Sequence, residues 1–351
     1  MIKRRWSRMA PAMLLLAGIV AAGCSAESGR TKLVVYSPHG KALLSHYEAG
    51  FEKENPDVDV EFVELGSHEI FDRVKAERED PRGDVWFGAP SELLRRAAAD
   101  GLLDTITPTW AASVPEGARD IGKQWFGTYL TPEVIAYNST FVSDSVAPAD
   151  WKDVGDPKWR DRVIIRDPVP SGTMRAIFGA ILQHSVSSTG KTDSGWALLR
   201  RLDANTREYT PTPAAMYDKL KSGDGWITLY NMPDIAALAR DGAPMVKYRV
   251  PESGTPVLVD AIALIRGSNN RTFAMRYIEY VTSQEALTFA ADSLMRIPAR
   301  TDIPDAKLPQ WVVQARTGIK TLPVDHTLMA DSLDIWMRAW DSVVRGRNRV
   351  P

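Results

Sequence analysis

Four short stretches carry residue types from which a small-molecule site can be built. Ser171-Gly172-Thr173 follows Pro168 and Pro170 and heads a segment with Ile177, Ala180, Ile181 and Leu182 on one helical face. The first turn of a helix has unpaired N–H groups and a partial positive charge, so it attracts anions. Gly172 would let a ligand approach the backbone, and the hydroxyls of Ser171 and Thr173 add donors. The same three residues also describe a plain helix cap, with Ser171 bonded to its own helix. Ser37-Pro38-His39-Gly40 closes a short apolar run, and its imidazole can donate to an anion, ligate a metal or stand in water. Gly88-Ala89 occupies an equivalent place after another apolar run, where small residues leave backbone N–H groups accessible or make a tight turn. Tyr230-Asn231 is the fourth: the phenol can cover a ligand, donate to it, bind a metal as phenolate, or simply pack.

These stretches need elements to hold them, and the pattern along the chain supplies them. Leu33 to Tyr36, Val58 to Val63 and Asp84 to Phe87 read as strands. Between and after them, Leu43, Leu44, Tyr47 and Phe51, then Ile70, Phe71 and Val74, then Leu93, Leu94, Ala97 and Ala98, recur at helical spacing. Gly88-Ala89-Pro90 reads as a turn. The middle repeats that texture: an apolar strand Val134–Tyr137, a polar Pro-bearing connection from Trp151 to Arg162, and a strand at Val163–Ile165. A helix follows to about Ser185, then helices at 192–202 and 213–222, a strand at 226–230 and a helix at 233–240. Val257 to Ile265 is a strong strand, and the remainder is helical in period. Strands alternating with helices imply mostly parallel sheets covered on both faces. In such sheets ligands bind beyond the carboxyl ends of the strands, where the candidate stretches lie.

Composition excludes several classes. Lys and Arg number 43 against 44 acidic residues, so no net field favours nucleic acid. There is no G-x-S-x-G elbow, Walker loop or H-E-x-x-H, and the five histidines (39, 46, 68, 184, 326) form no convincing metal pair. Nothing calls for a cofactor, and an extracytoplasmic enzyme using the cleft is the least supported reading.

The only cysteine, Cys24, follows Lys3-Arg4-Arg5 and the apolar run Met13–Gly23. A basic start, a short apolar core and small residues before the cleavage point make a secretory signal. The run is shorter than the ~20 residues a spanning helix needs. Ala21-Ala22-Gly23-Cys24 resembles the lipobox of bacterial lipoproteins, with Ala21 where Leu is commoner. The expectation is a signal peptide at 1–23, lipidation at Cys24, a polar tether at 24–30, and a protein held to a membrane in the periplasm or at the cell surface.

With these features in place, the chain resembles a type II periplasmic solute-binding protein of an ABC importer, in the branch containing ferric-ion, phosphonate, sugar-phosphate and thiamine binders. The carriers of the resemblance are Leu33 to Gly40, Gly83 to Ala89, the Pro-x-x-Ser-Gly-Thr at 168–173, Gly254 to Leu264, Ala274 to Ala286 and Ile297 to Arg300. The resemblance implies an α/β fold of two lobes around a ligand cleft. Lobe 1 would take 31–130 plus 256–315, lobe 2 131–255, and 316–351 would be a helical segment packed outside the cleft. It further implies a monomeric, non-enzymatic binder that captures a small solute by hinge closure and hands it to a membrane permease driven by a separate ATPase. The expected ligand contacts are Ser37, His39, Gly40, Gly88, Ala89, Ser171, Gly172, Thr173, Tyr230 and Asn231. In ferric binders the first turn supplies a histidine, matched by His39, and a Tyr-Tyr pair supplies two phenolates, matched here by Leu229 and Tyr230. Losing a phenolate removes a hard anionic ligand that a ferric ion needs, and the acidic ligand that the resemblance implies after the third strand has no clear counterpart in Gly88-Ala89-Pro90, with Glu92 the one possibility. An intact oxyanion site beside an eroded iron site favours a phosphate- or phosphonate-bearing solute. Metal binding through His39 and Tyr230 is the alternative.

Overall fold

A computed structural model describes residues 29–345; the signal segment and Cys24 lie outside the described residues. The chain begins with β1 (Thr31–Ser37), α1 (Lys41–Glu54), β2 (Val58–Glu64), α2 (Ser67–Ala76), β3 (Val85–Pro90), α3 (Ser91–Ala99), the short β4 (Leu103–Asp104) and the long β5 (Trp125–Asn138). A second series follows: β6 (Val163–Arg166), α4 (Gly172–Thr189), α5 (Asp193–Asn205), β7 (Thr206–Thr210), α6 (Pro213–Ser222), β8 (Ile227–Asn231), α7 (Met232–Arg240) and β9 (Val246–Arg249). The chain returns through β10 (Val257–Ile265), α8 (Arg271–Val281), α9 (Gln284–Leu294) and β11 (Ile297–Pro298). It ends in α10 (Gln310–Gly318) and α11 (His326–Ala339).

Two lobes result, and one strand belongs to both. The first sheet has the order β2-β1-β3-β10-β5 and the second β7-β6-β8-β5-β9. From Trp125 to Pro132, β5 pairs with β10; from Glu133 to Asn138 it pairs with β8 and β9. A 14-residue strand can change partners midway because its first half serves one sheet and its second half the other. Both sheets are mixed: β1, β2 and β3 are parallel, as are β6, β7 and β8, while β5 and β10 run antiparallel to their neighbours.

Several local expectations need correction. Gly88-Ala89-Pro90 is not a turn but the end of β3, where Ala89 pairs with Ala261 and Pro90 with Asp260. The connection at 151–162 contains two short 3-10 turns (Trp151–Gly155 and Pro157–Trp159) whose Trp151, Val154 and Trp159 are buried. Strands β7 and β9 have no counterpart in the sequence reading. Both are short, and their Thr-Arg-Glu-Tyr-Thr and Val-Lys-Tyr-Arg sequences lack the apolar run that marks a buried strand.

Candidate ligand-binding site

The carboxyl ends of β1, β3, β6 and β8 bring the four stretches to the facing sides of the two lobes. In the first lobe, Ser37 is fully buried and its Oγ accepts the His39 backbone N–H at 3.1 Å. That bond fixes a tight turn before Gly40, whose carbonyl accepts the Leu43 N–H at the start of α1. His39 is only 6% exposed. Its ring meets Phe87 edge-on at 4.8 Å and Tyr129 at 5.7 Å, and its Nε2 has no hydrogen-bond partner. Burial, with a smaller contribution from the charge on Arg296, pushes the imidazole down to about 3. It is therefore neutral at physiological pH and offers a ligand an uncharged nitrogen. The solvated turn that a lone histidine might have marked is not what the chain builds.

Gly88 is the floor under that ring. Its φ is +96°, and a Cβ there would stand 2.2 Å from His39 Nε2. Only glycine combines that conformation with that contact. Ala89, by contrast, turns its methyl into the core with Leu93 and Leu94.

In the second lobe, Ser171 is the N-cap of α4: its Oγ accepts the Met174 N–H at 3.3 Å. The cap reading thus holds for the oxygen, while the hydroxyl proton remains available to a ligand. Gly172 faces the other lobe; a Cβ there would sit 3.3 Å from Pro90 Cγ, so the lobes are within contact distance. Thr173 follows in the first turn of α4. Tyr230 is buried with its ring edge-on to Tyr217 at 6.0 Å, and burial pushes its phenol well up. Asn231 caps α7, accepting the Asp234 N–H and donating to Asp234 Oδ2, both at 2.9 Å.

The charged residues of the site were not among the sequence candidates. Arg296, just beyond α9, reaches from the first lobe to Asp234 at the start of α7 in the second, at 3.1 Å. Burial works against its charge, but Asp234 and Asp260 more than restore it, and the group stays a cation. Its Nε has no partner, and neither do Nε and Nη1 of Arg166 at the end of β6, the arginine that acts electrostatically on Tyr230. Asp234 also accepts from the Tyr217 hydroxyl at 3.2 Å, and Asp260 accepts from the Thr131 hydroxyl at 2.7 Å. Glu133, where β5 changes sheets, is fully buried with neither carboxyl oxygen partnered. Burial, then the charges of Asp260 and Asp234, raise its pKa well above the carboxylate range.

Buried polar groups without partners are rare and costly. Here His39, Arg166, Arg296 and Glu133 all carry one in the interlobe region: Arg296 acts on His39, and Arg166, Glu133 and Arg296 all act on Tyr230. Two guanidinium groups, a neutral imidazole and a helix start offer hydrogen-bond donors, and donors suit an oxyanion. Of the acids, Asp234 is spent on Arg296, Asn231 and Tyr217. Among the described residues no three His, Cys, Asp or Glu side chains gather as a metal site.

Glu133 gives a test of this electrostatic picture. Its folded-state pKa is raised, so the folded protein keeps a proton that the unfolded chain releases. Stability is then lost as pH rises from about 4.3 towards the folded value. Glu133→Gln, neutral at every pH, should melt a few degrees above the parent at pH 8 and beside it at pH 4; differential scanning calorimetry at both pH values checks this.

The bacterial extracellular solute-binding protein model matches residues 87–314, about two thirds of the chain. The chain belongs to that family. Family members are non-enzymatic transport components that work outside the cytoplasm. A probable ABC transporter periplasmic-binding protein, y4fP of Sinorhizobium fredii, is 24% identical over 318 residues, covering 89% of this chain and 86% of the relative. A putative 2-aminoethylphosphonate-binding periplasmic protein of Salmonella typhimurium is 24% identical over 343 residues, covering 94% and 97%. Among solved structures, the apo ferric ion-binding protein A of Pasteurella haemolytica superposes with a TM-score of 0.76 at 21% identity, covering 89% of this chain and 98% of that one. That likeness establishes the fold of this solute-binding protein, two lobes of the periplasmic-binding type, and leaves its ligand to the site's own chemistry. The chain is thus a periplasmic solute-binding component of an ABC importer.

Proposed function

We propose that this solute-binding protein captures a small organic anion bearing a phosphate or phosphonate group. The observation that carries the reading is the pair of half-buried arginines, Arg166 and Arg296, one from each lobe, each with buried N–H groups that have no partner. The oxyanion sits between them and the first turn of α4, accepting from the Gly172 and Thr173 backbone and the Ser171 hydroxyl. His39, on its Gly88 floor, closes the first-lobe side, and Tyr230 and Asn231 flank the ligand. Contacts from both lobes exist only when the lobes are together, so the ligand shifts the population to the closed form. The lobes divide at 130/131 and 255/256, where β5 and the approach to β10 act as hinge. A monomer tethered through lipidated Cys24 then presents the closed lobes to a permease with its own ATPase.

The metal reading keeps one observation in its favour: His39 presents a neutral, unpartnered nitrogen, as a metal ligand must. Against it, two arginine cations beside the site repel a trivalent ion, and Leu229 lies in the apolar core where a second phenolate would be needed. Calorimetric titration with sugar phosphates, alkylphosphonates and ferric citrate separates the two. The phosph(on)ates are expected to bind and the ferric complex to leave the protein colourless after dialysis. A stable visible phenolate absorbance would reverse the assignment.

A further inference from the structure

A cavity of about 720 Å³ opens beside the site, between α3 of the first lobe, α4 of the second, α11 and the residues 256–258 that enter β10. That volume lies within the ~300–1,000 Å³ of pockets that take drug-sized organic molecules. Its walls are mainly apolar: Leu93, Ala176, Ala180, Leu258, Met329 and Leu333 all border it. Gly172 borders it too, so the chamber begins where the oxyanion is held, whereas His39, Ser171 and Tyr230 stand outside it. Three of its lining residues are arginines (Arg95, Arg96, Arg175) against two acids, Glu92 and Asp334, a balance that admits an anion. Asp334 is already taken by Arg96 and Arg175, which ties α11 to both lobes and roofs the chamber. Arg95 Nε and Glu92 Oε2 are buried without partners, leaving a donor and an acceptor one helical turn apart on the α3 wall.

We propose that the solute is an organic oxyanion with a bulky apolar body, and that the body lies in this chamber while the head sits at the start of α4. This rests on the anion reading above and extends it. Inorganic phosphate and small hydrophilic phosphates would leave the apolar walls unused. Such a body gains affinity by leaving water, roughly fourfold for each methylene buried. Arg95 and Glu92 supply one hydrogen-bonding point for a polar group on the body, such as an amide or hydroxyl.

The test is calorimetric titration of the full chain with methyl-, butyl- and octylphosphonate. Octylphosphonate is expected to bind at least 100-fold more tightly than methylphosphonate. That ratio should fall to near one in Ala180→Trp, which fills the chamber, and in the smaller Ala176→Phe should the first variant misfold by circular dichroism. Equal affinity across the series would overturn the chamber and leave the anion reading standing. A ratio that survives in a folded chamber-filled variant would place the tail elsewhere and also overturn it. Failure of every phosphonate to bind would remove the anion reading, and the chamber assignment with it.

Discussion

Arg296→Met is expected to weaken ligand binding by about 2 kcal/mol, roughly 30-fold, the lower end of the range for removing one partner of a buried charge pair at an interface, because this pair is only partly buried. The side chain does two things at once. It holds Asp234 across the cleft at 3.1 Å, and it keeps an unpartnered Nε for the solute. Methionine fills similar space but does neither, and Asp234 is left facing the cleft as an uncompensated carboxylate. An anionic ligand then meets repulsion where it met attraction. Arg296→Lys should recover part of the loss through its charge, without the fork geometry. Titration calorimetry on the three proteins reads the effect; equal affinity in Arg296→Met would mean that this arginine is only an interlobe strut.

The second large effect belongs to Gly88. Valine at a φ of +96° is strained, and its Cβ would begin 2.2 Å from the His39 ring. Positive φ in a branched residue costs about 1–3 kcal/mol, and overpacking about as much again. A loss of about 2–6 kcal/mol of stability is therefore expected from urea unfolding. The His39 ring would be driven off Phe87 and Tyr129, so binding should fall further than stability does. Gly117→Val is the control: Gly117 is exposed, away from the site, nothing lies within 4 Å of a Cβ there, and little change is expected.

How much of this was legible in the sequence depended on range. The helices of the first lobe announce themselves because Leu43, Leu44, Tyr47 and Phe51 must share one buried face. Ser171-Gly172-Thr173 is legible for a similar reason, since capping is a local act. Gly88 stood out by type, but its task of seating His39 depends on a contact 49 residues away in sequence. The charged residues of the cleft, Arg166, Arg296, Asp234 and Glu133, were hidden. Arg296 follows a helix end like any surface arginine, and its partner Asp234 is 62 positions earlier, on another lobe. Glu133 stands just before the apolar run Val134–Tyr137 and nothing in the sequence marks it, whereas the structure buries it at the point where β5 passes from one sheet to the other. Charge networks of this kind are set by tertiary approach, which period and propensity do not encode.

The central claim is that an oxyanion draws the two lobes together by taking donors from each. Small-angle X-ray scattering of the protein with and without the tightest-binding phosphate or phosphonate tests it most directly. The expected result is a smaller radius of gyration at saturation, with the compaction absent in Arg296→Met at the same ligand concentration. Unchanged dimensions in the saturated parent protein, or compaction produced by ferric ion and by no organic anion, would contradict it.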